Sequence, residues 1–200
     1  MQVVSAKPIS RYPWFIRLFF WKQKLTYGRV LDPGLLWGRS KWVFATVALL
    51  YGAFNRGGSP IPAALRSLVT VRVSQINHCA FCVDINSATL RKRGVSDAKI
   101  ESLADWRASP LFDAEERLAL EWAEAMTLNA VDDELRARVT EHWNEDAIVE
   151  LTGLIAFQNL SSKFNSALDV PAQGFCMLPV APGRDTRPPA PQEKRPRARN

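Results

Sequence analysis

Two cysteines three residues apart, Cys79 and Cys82, are the residues of this chain best suited to chemistry. A Cys-X-X-Cys pair can close a small disulfide ring, and this pair falls at the predicted start of a helix. The unpaired N–H groups and the positive dipole end at a helix N-terminus favour a thiolate. The spacing therefore favours a dithiol redox site. Two other interpretations remain open: buried cysteines that act as small apolar residues, and a zinc site.

Few other side chains could assist the pair. Structural zinc needs four ligands, and beyond the pair the chain offers only Cys176, His78 and His142, in none of the usual second-pair spacings. We therefore expect neither a metal nor a cofactor. The imidazole of His78, next to Cys79, could support thiolate formation. The alternative for His78 is a solvent-facing residue at the helix end.

The surrounding patterns are helical. Residues 60–77 carry apolar side chains that predict a buried helix, and the next helix runs from about Cys79 to Arg93, where Gly94 ends it. On that helix Asn86 lies one turn below Cys82 and could donate a hydrogen bond to its thiolate. Further helices are expected at about 97–106, 113–126, from 132 and at 146–167. The sequence thus predicts an all-α single domain of about seven to eight helices.

The chain divides by composition into three parts. Residues 1–38 form a basic, aromatic N-terminal arm, residues 39–175 the helical domain, and residues 176–200 a Pro/Arg-rich tail predicted to be disordered. Residues 1–83 hold eleven Lys/Arg against one Asp, whereas residues 84–181 hold nine Lys/Arg against seventeen Asp/Glu. The two regions could face each other, within a chain or between subunits. No recognition helix, zinc finger or RNA-binding strand pattern is present, so we expect no nucleic-acid partner.

The segment from Arg11 to Lys22 is rich in both aromatic and basic residues, which is the composition of an interfacial membrane helix. The alternative is an arm whose rings pack on the core or on a neighbouring subunit. The longest apolar run, Trp42 to Phe54, is shorter than the roughly 20 residues of a spanning helix. Without a signal-peptide layout, and with three cysteines, the expected location is the cytoplasm, with at most weak contact with a membrane surface.

Residues 71–86, VRVSQINHCAFCVDIN, followed by LRKRGVS at 90–96, resemble the core of the alkylhydroperoxidase D (AhpD) and carboxymuconolactone decarboxylase superfamily. Residues 116–127, ERLALEWAEAMT, and residues 159–165 are similar to its later helices. The resemblance covers about residues 40–170. It implies an all-α, obligately oligomeric fold. It also implies that Cys82, the second cysteine, attacks a hydroperoxide and that Cys79 resolves the sulfenic acid as a disulfide.

The chain departs from that family at its proton relay. A glutamate twelve residues before the first cysteine is replaced here by Ser67, and a histidine four residues after the second by Asn86. Some members also carry a histidine between the cysteines, where this chain has Phe81. Without these groups the usual route for deprotonating Cys82 is missing. We expect an apolar pocket to raise its pKa.

These features together predict an AhpD-like dithiol oxidoreductase with weak alkylhydroperoxidase, peroxiredoxin-type activity. Cys79 and Cys82 would be catalytic, and Ser67, His78 and Asn86 would support them. The substrate would be a hydroperoxide or a disulfide, a thiol of unknown identity would be the reductant, and the protein would be a homo-oligomer. The alternative is a non-catalytic, oligomeric binding or scaffold protein of the same fold, associated peripherally with a membrane.

Overall fold

A computed structural model describes residues 4–176 and residue 178, and within them all the regular structure is helical. This confirms the all-α prediction, with nine α-helices instead of seven to eight and two short 3₁₀ helices, Ile9–Arg11 and Leu103–Asp105. Beyond residue 178, the tail that was predicted to be disordered lies outside the described residues. The helices are α1 Trp14–Tyr27, α2 Asp32–Trp37, α3 Lys41–Phe54, α4 Ala63–Ile76, α5 Ala80–Lys92, α6 Asp97–Ser102, α7 Ala114–Leu128, α8 Asp133–His142 and α9 Glu145–Ala167.

Helix α4 forms the centre of the core. It packs against α5, α7 and α9, and its apolar side chains are buried on nearly every side, including Leu68, Val71 and Val73. A helix enclosed in this way buries side chains all round, and those of α4 include the polar Ser67, Arg72, Ser74 and Gln75. The predicted buried helix at 60–77 is therefore confirmed.

A tight connection places the cysteines where α4 passes into α5. His78 adopts a left-handed conformation with φ of 51°, and Cys79 is the N-cap of α5. The Sγ atom of Cys79 accepts a hydrogen bond from the backbone N–H of Cys82 at 3.2 Å. At the other end, Gly94 with φ of 87° follows the helix as predicted, since glycine reaches this conformation without steric cost.

The N-terminal arm is partly absorbed into the fold. Tyr12 and Phe20 are buried in a cluster with Ile16 of the same chain and Phe44 of α3. For these rings the structure bears out the alternative of an arm that packs on the core, because they share a buried cluster with Phe44 of α3. The opposite face stays uncovered in the single chain, and Trp14 and Trp21 are 76% and 60% exposed.

No helix among the described residues has the length and apolar character needed to cross a bilayer.

Candidate active site

The thiols of Cys79 and Cys82 lie together in the interior. They are 1% and 2% exposed, and both are reduced in this structure. The Cys79 thiol donates a hydrogen bond to the sulfur of Cys82, which lies in the first turn of α5. Hydrogen bonding between the two side chains therefore favours the thiolate at Cys82, in the first turn of a helix.

That hydrogen bond separates the two pKa values. Donation from Cys79 lowers the pKa of Cys82, burial opposes the shift, and further donors on α9 reinforce it. The same hydrogen bond, with burial, raises the pKa of Cys79. The expectation that an apolar pocket raises the pKa of Cys82 is therefore wrong, because the hydrogen bonds to its sulfur outweigh the cost of burial. Cys82 is the better nucleophile of the two.

The donors on α9 are residues that sequence reasoning did not assign to the site. Asn165 donates from Nδ2 to Sγ of Cys82 at 3.4 Å. Hydrogen bonding from Ser161 and Gln158 also lowers the pKa of Cys82. The three occupy positions i, i+3 and i+7, which share one helix face. Polar side chains at that spacing on an otherwise apolar helix face were the sequence feature that could have indicated their place in the site.

Asn86 lies one turn below Cys82 as expected, but its amide has a different partner. Its Nδ2 donates to Oγ of Ser74 at 3.3 Å, and Gln158 donates to the same oxygen at 2.9 Å. Asn165, and not Asn86, is the asparagine that donates to the Cys82 sulfur. Ser67 is buried on α4 and accepts from Nη1 of Arg93 at 2.6 Å.

The two histidines lie apart from this network. His78 is solvent-exposed at the end of α4, and its backbone N–H donates to Gln75. His142, at the end of α8, stacks edge-on against Trp143. A role for His78 in thiolate formation thus stays a prediction. Among the described residues no group of three or more His, Cys, Asp or Glu could hold a metal ion.

A cavity of about 490 Å³ opens beside Cys82 between α1, α3, α4, α5 and α9. Its wall is mainly apolar, with Phe19, Phe44 and Phe157 among the lining residues. Ser67 and Asn86 also line it, so two of the three predicted supporting residues share a cavity with Cys82. No His, Asp or Glu of the described residues lines it.

The opposite side of the thiols is covered by the segment that follows α9. Asp84, two residues after Cys82, is buried and does not line the cavity. Its carboxylate accepts hydrogen bonds from the backbone N–H groups of Gln173 at 2.7 Å and Cys176 at 2.6 Å. Val170 packs in the same apolar cluster as the two thiols. Access to Cys82 is therefore from the cavity side.

Comparison with known proteins identifies the family. Residues 43–125 match the model of the carboxymuconolactone decarboxylase family. The chain is also 47% identical over 178 residues to an uncharacterized protein of Escherichia coli strain K12, YnjA, covering 88% of this chain and 98% of that protein. This chain belongs to the carboxymuconolactone decarboxylase family. The AhpD-like resemblance of the sequence is thereby confirmed.

Solved structures show the same AhpD-like fold. A peroxidase-related protein from Ralstonia eutropha JMP134, described as an alkylhydroperoxidase AhpD core, superposes with a TM-score of 0.77 at 18% identity, over 90% of this chain and 96% of that one. The debrominase Bmp8 superposes with a TM-score of 0.75 at 19% identity, over 88% and 94%. At these identities the likeness concerns the fold alone. Within the family fold, Ser67 and Asn86 face the cavity where the resemblance implies the relay.

Proposed function

We propose that this protein is a dithiol oxidoreductase that reduces hydroperoxides slowly, with Cys82 as the nucleophile and Cys79 as the resolving thiol. The observation that carries the proposal is a pair of buried thiols at the start of α5, beside an apolar cavity, with Asn165 donating a hydrogen bond to the Cys82 sulfur. It supplies a stabilised thiolate and a second sulfur that can close a disulfide.

The proposed cycle has three steps. The Cys82 thiolate attacks the terminal oxygen of the hydroperoxide, the O–O bond breaks, and the leaving alkoxide takes a proton from solvent to become an alcohol. Cys82 is then a sulfenic acid. Cys79 attacks that sulfur, the S–S bond forms, and the departing hydroxide takes the Cys79 proton and leaves as water. A reducing thiol partner returns the disulfide to two thiols by exchange.

The polar network beside Cys82 accounts for the expected low rate. Asn165 donates to the sulfur and Gln158 donates to Oγ of Ser74, but none of these side chains can hold and release a proton at neutral pH. A positioned acid or base contributes about 100- to 10,000-fold to such reactions. We therefore propose that Cys82 is ionised before the substrate binds, and that no side chain beside it donates a proton to the leaving alkoxide.

Hydroperoxide consumption by the reduced protein tests this function. Wild type should consume one equivalent of cumene hydroperoxide per Cys79–Cys82 pair, and Cys82→Ser should consume none. Cys79→Ser should stop at a sulfenic acid that dimedone traps. Cys176→Ser, which alters the third cysteine, should behave as wild type. Equal consumption by wild type and Cys82→Ser would overturn the proposal.

A second candidate is a non-catalytic binding protein of the same fold. It is favoured by one observation, that no His, Asp or Glu of the described residues lines the cavity beside Cys82. Ligand binding without hydroperoxide or disulfide turnover would support this candidate.

A further inference from the structure

Two arginines, Arg66 on α4 and Arg93 at the end of α5, line the same cavity as Cys82. Neither guanidinium forms an ion pair in the part of the chain that the structure describes. Burial lowers the pKa of Arg93, and repulsion from the charge of Arg66 lowers it further, so the two charges act on each other. The two guanidinium groups therefore lie together at a mainly apolar cavity, which the exposed Lys22 also lines.

Neutral acceptors hold both side chains in place. Arg66 donates from Nη1 to the backbone oxygen of Phe54 at 2.6 Å, and Arg93 donates from Nη1 to the oxygen of Ala63 and to Oγ of Ser67, each at 2.6 Å. The backbone acceptors are the last residue of α3 and the first residue of α4. They fix the guanidinium groups without neutralising them.

Donor capacity remains after those contacts. The Nε atom of Arg66 is buried and has no hydrogen-bond acceptor in the structure. A buried donor without a partner is costly, and a guanidinium offers five N–H groups that match a carboxylate. Tyr51 also lines the cavity, and its phenol is neutral at physiological pH because the ordinary pKa of tyrosine is about 10. The charge of Arg66 helps to lower the pKa of Glu150, but this carboxylate accepts hydrogen bonds from Arg56 and Ser59 and does not line the cavity.

Arg93 and the nucleophile Cys82 lie near opposite ends of α5. Arg93 follows Cys82 by eleven positions, which is roughly 16 Å along α5 at the helical rise. Phe19, Phe44 and Phe157 supply apolar wall within the same cavity. A ligand that reaches both ends needs an anionic head and an apolar body of medium to long chain length.

We infer that the cavity binds an amphiphilic carboxylate, with its head group on Arg66 and Arg93 and its chain directed toward Cys82. The anion site stands on the arginines alone, whereas its use to present a chain hydroperoxide to Cys82 rests on the proposed function. The substrate class is then a fatty-acid-like hydroperoxide, distinguished from neutral hydroperoxides by its carboxylate.

Binding can be tested without redox chemistry, with decanoate and methyl decanoate as probes and calorimetry as the readout. Reduced wild type should bind decanoate at least tenfold more tightly than the ester. Arg93→Gln should remove this preference, and Arg93→Lys should keep part of it because the charge remains. Arg91→Gln is the matched control, since Arg91 lies on the same helix but is exposed and paired with Asp97. Its preference should equal that of wild type.

The ratio of affinities separates an anion site from a structural role. A variant that only loosens the fold weakens acid and ester alike, whereas loss of an anion site removes the preference for the acid. Arg66→Gln provides a second test by the same ratio if Arg93→Gln does not fold. Equal affinity of wild type for decanoate and its ester overturns the inference.

An activity assay then distinguishes the inference from the proposed function. Wild type should reduce a fatty-acid hydroperoxide with a kcat/KM at least tenfold above that of its methyl ester, and Arg93→Gln should reduce both equally. Turnover of both substrates at the same rate by wild type would overturn the presentation of the chain by the arginines and leave the dithiol function intact. Absence of turnover together with selective decanoate binding would overturn the dithiol function and support the anion site.

Discussion

Asn165 donates a hydrogen bond from Nδ2 to the sulfur of Cys82 at 3.4 Å, across 83 positions of sequence. The side chain is 1% exposed, and its Oδ1 has no hydrogen-bond partner in the structure. This contact joins α9 to the first turn of α5 at the nucleophilic sulfur. It makes α9 part of the site, and it gives the first prediction.

Asn165→Ala should raise the pKa of Cys82, because one of the hydrogen bonds that stabilise its thiolate is lost. A hydrogen bond to a charged group is worth about 1.5–3 kcal/mol, which corresponds to an upward shift of about 1–2 pH units. The pH profile of Cys82 alkylation by iodoacetamide measures the shift. Asn159→Ala is the control, since Asn159 contacts Asn77 and Thr127 instead. Superimposable profiles for wild type and Asn165→Ala would contradict this role.

Mild oxidation should link Cys79 to Cys82 within one chain and leave Cys176 free. The two sulfurs already hydrogen-bond, whereas Cys176 lies on the segment held by Asp84. Peptide mass mapping of the oxidised protein under non-reducing conditions identifies the linkage. A dominant bond to Cys176, or none at all, would remove the basis of the redox proposal.

Restoring both relay groups, as Ser67→Glu with Asn86→His, should raise hydroperoxide turnover. Both positions line the cavity beside Cys82, and a positioned acid–base group is worth about 100-fold or more. Steady-state kinetics of the double variant against each single variant measures the gain. The carboxylate introduced by Ser67→Glu would face Arg93, the present partner of Ser67. A double variant no faster than wild type would favour the binding-protein candidate.

Glu124 should stabilise the fold above acidic pH. It accepts hydrogen bonds from Arg72 at 2.5 Å and Trp106 at 2.9 Å, and it pairs with Arg107. Burial opposes ionisation, but these partners lower the pKa of Glu124 below its ordinary value. Its contribution is therefore present above the unfolded pKa, roughly 4.3, and is lost as the pH falls through the folded value.

Glu124→Gln should consequently destabilise the protein at pH 7 by about 3–5 kcal/mol, since Arg72 stays buried without its counter-charge. Urea unfolding at a series of pH values measures the difference from wild type, which should shrink below about pH 4. Glu121 lies on α7 with Glu124 but forms a surface pair with Arg138 of α8. Glu121→Gln should therefore change stability by less than about 1 kcal/mol. A constant difference across the pH range would contradict the assignment.

The exposed face of α1 should form a subunit contact in a homo-oligomer. Trp14, Leu18 and Trp21 remain exposed, and large apolar patches usually mark interfaces. Substituting all three with serine should lower the mass measured by light scattering. Deleting α1 is a poorer test, because it also removes Ile16 and Phe20 from the core.

Liposome co-sedimentation of the intact chain addresses the alternative of membrane contact. An unchanged mass in the triple-serine variant, with salt-sensitive binding of wild type to anionic liposomes, would contradict the subunit contact and favour the membrane surface.

The sequence alone was sufficient for features that depend on near neighbours in the chain. Cys79 caps α5, Gly94 follows its end, and Asp113 forms a capping box with Glu116, each through hydrogen bonds or backbone conformations spanning a few residues. The all-α class and the reactive pair followed from the same short-range patterns, because side-chain period and cap chemistry are local properties.

Tertiary structure decided what surrounds the pair. Asn165 reaches Cys82, Arg93 reaches Ser67, and Phe44 covers Phe20 only because helices distant in sequence pack together. These contacts reversed the expected direction of the Cys82 pKa and placed Arg66 and Arg93 at the cavity. Burial and hydrogen bonding act through space, so the electrostatics of the site depends on which helices meet there, and no spacing along the chain specifies that.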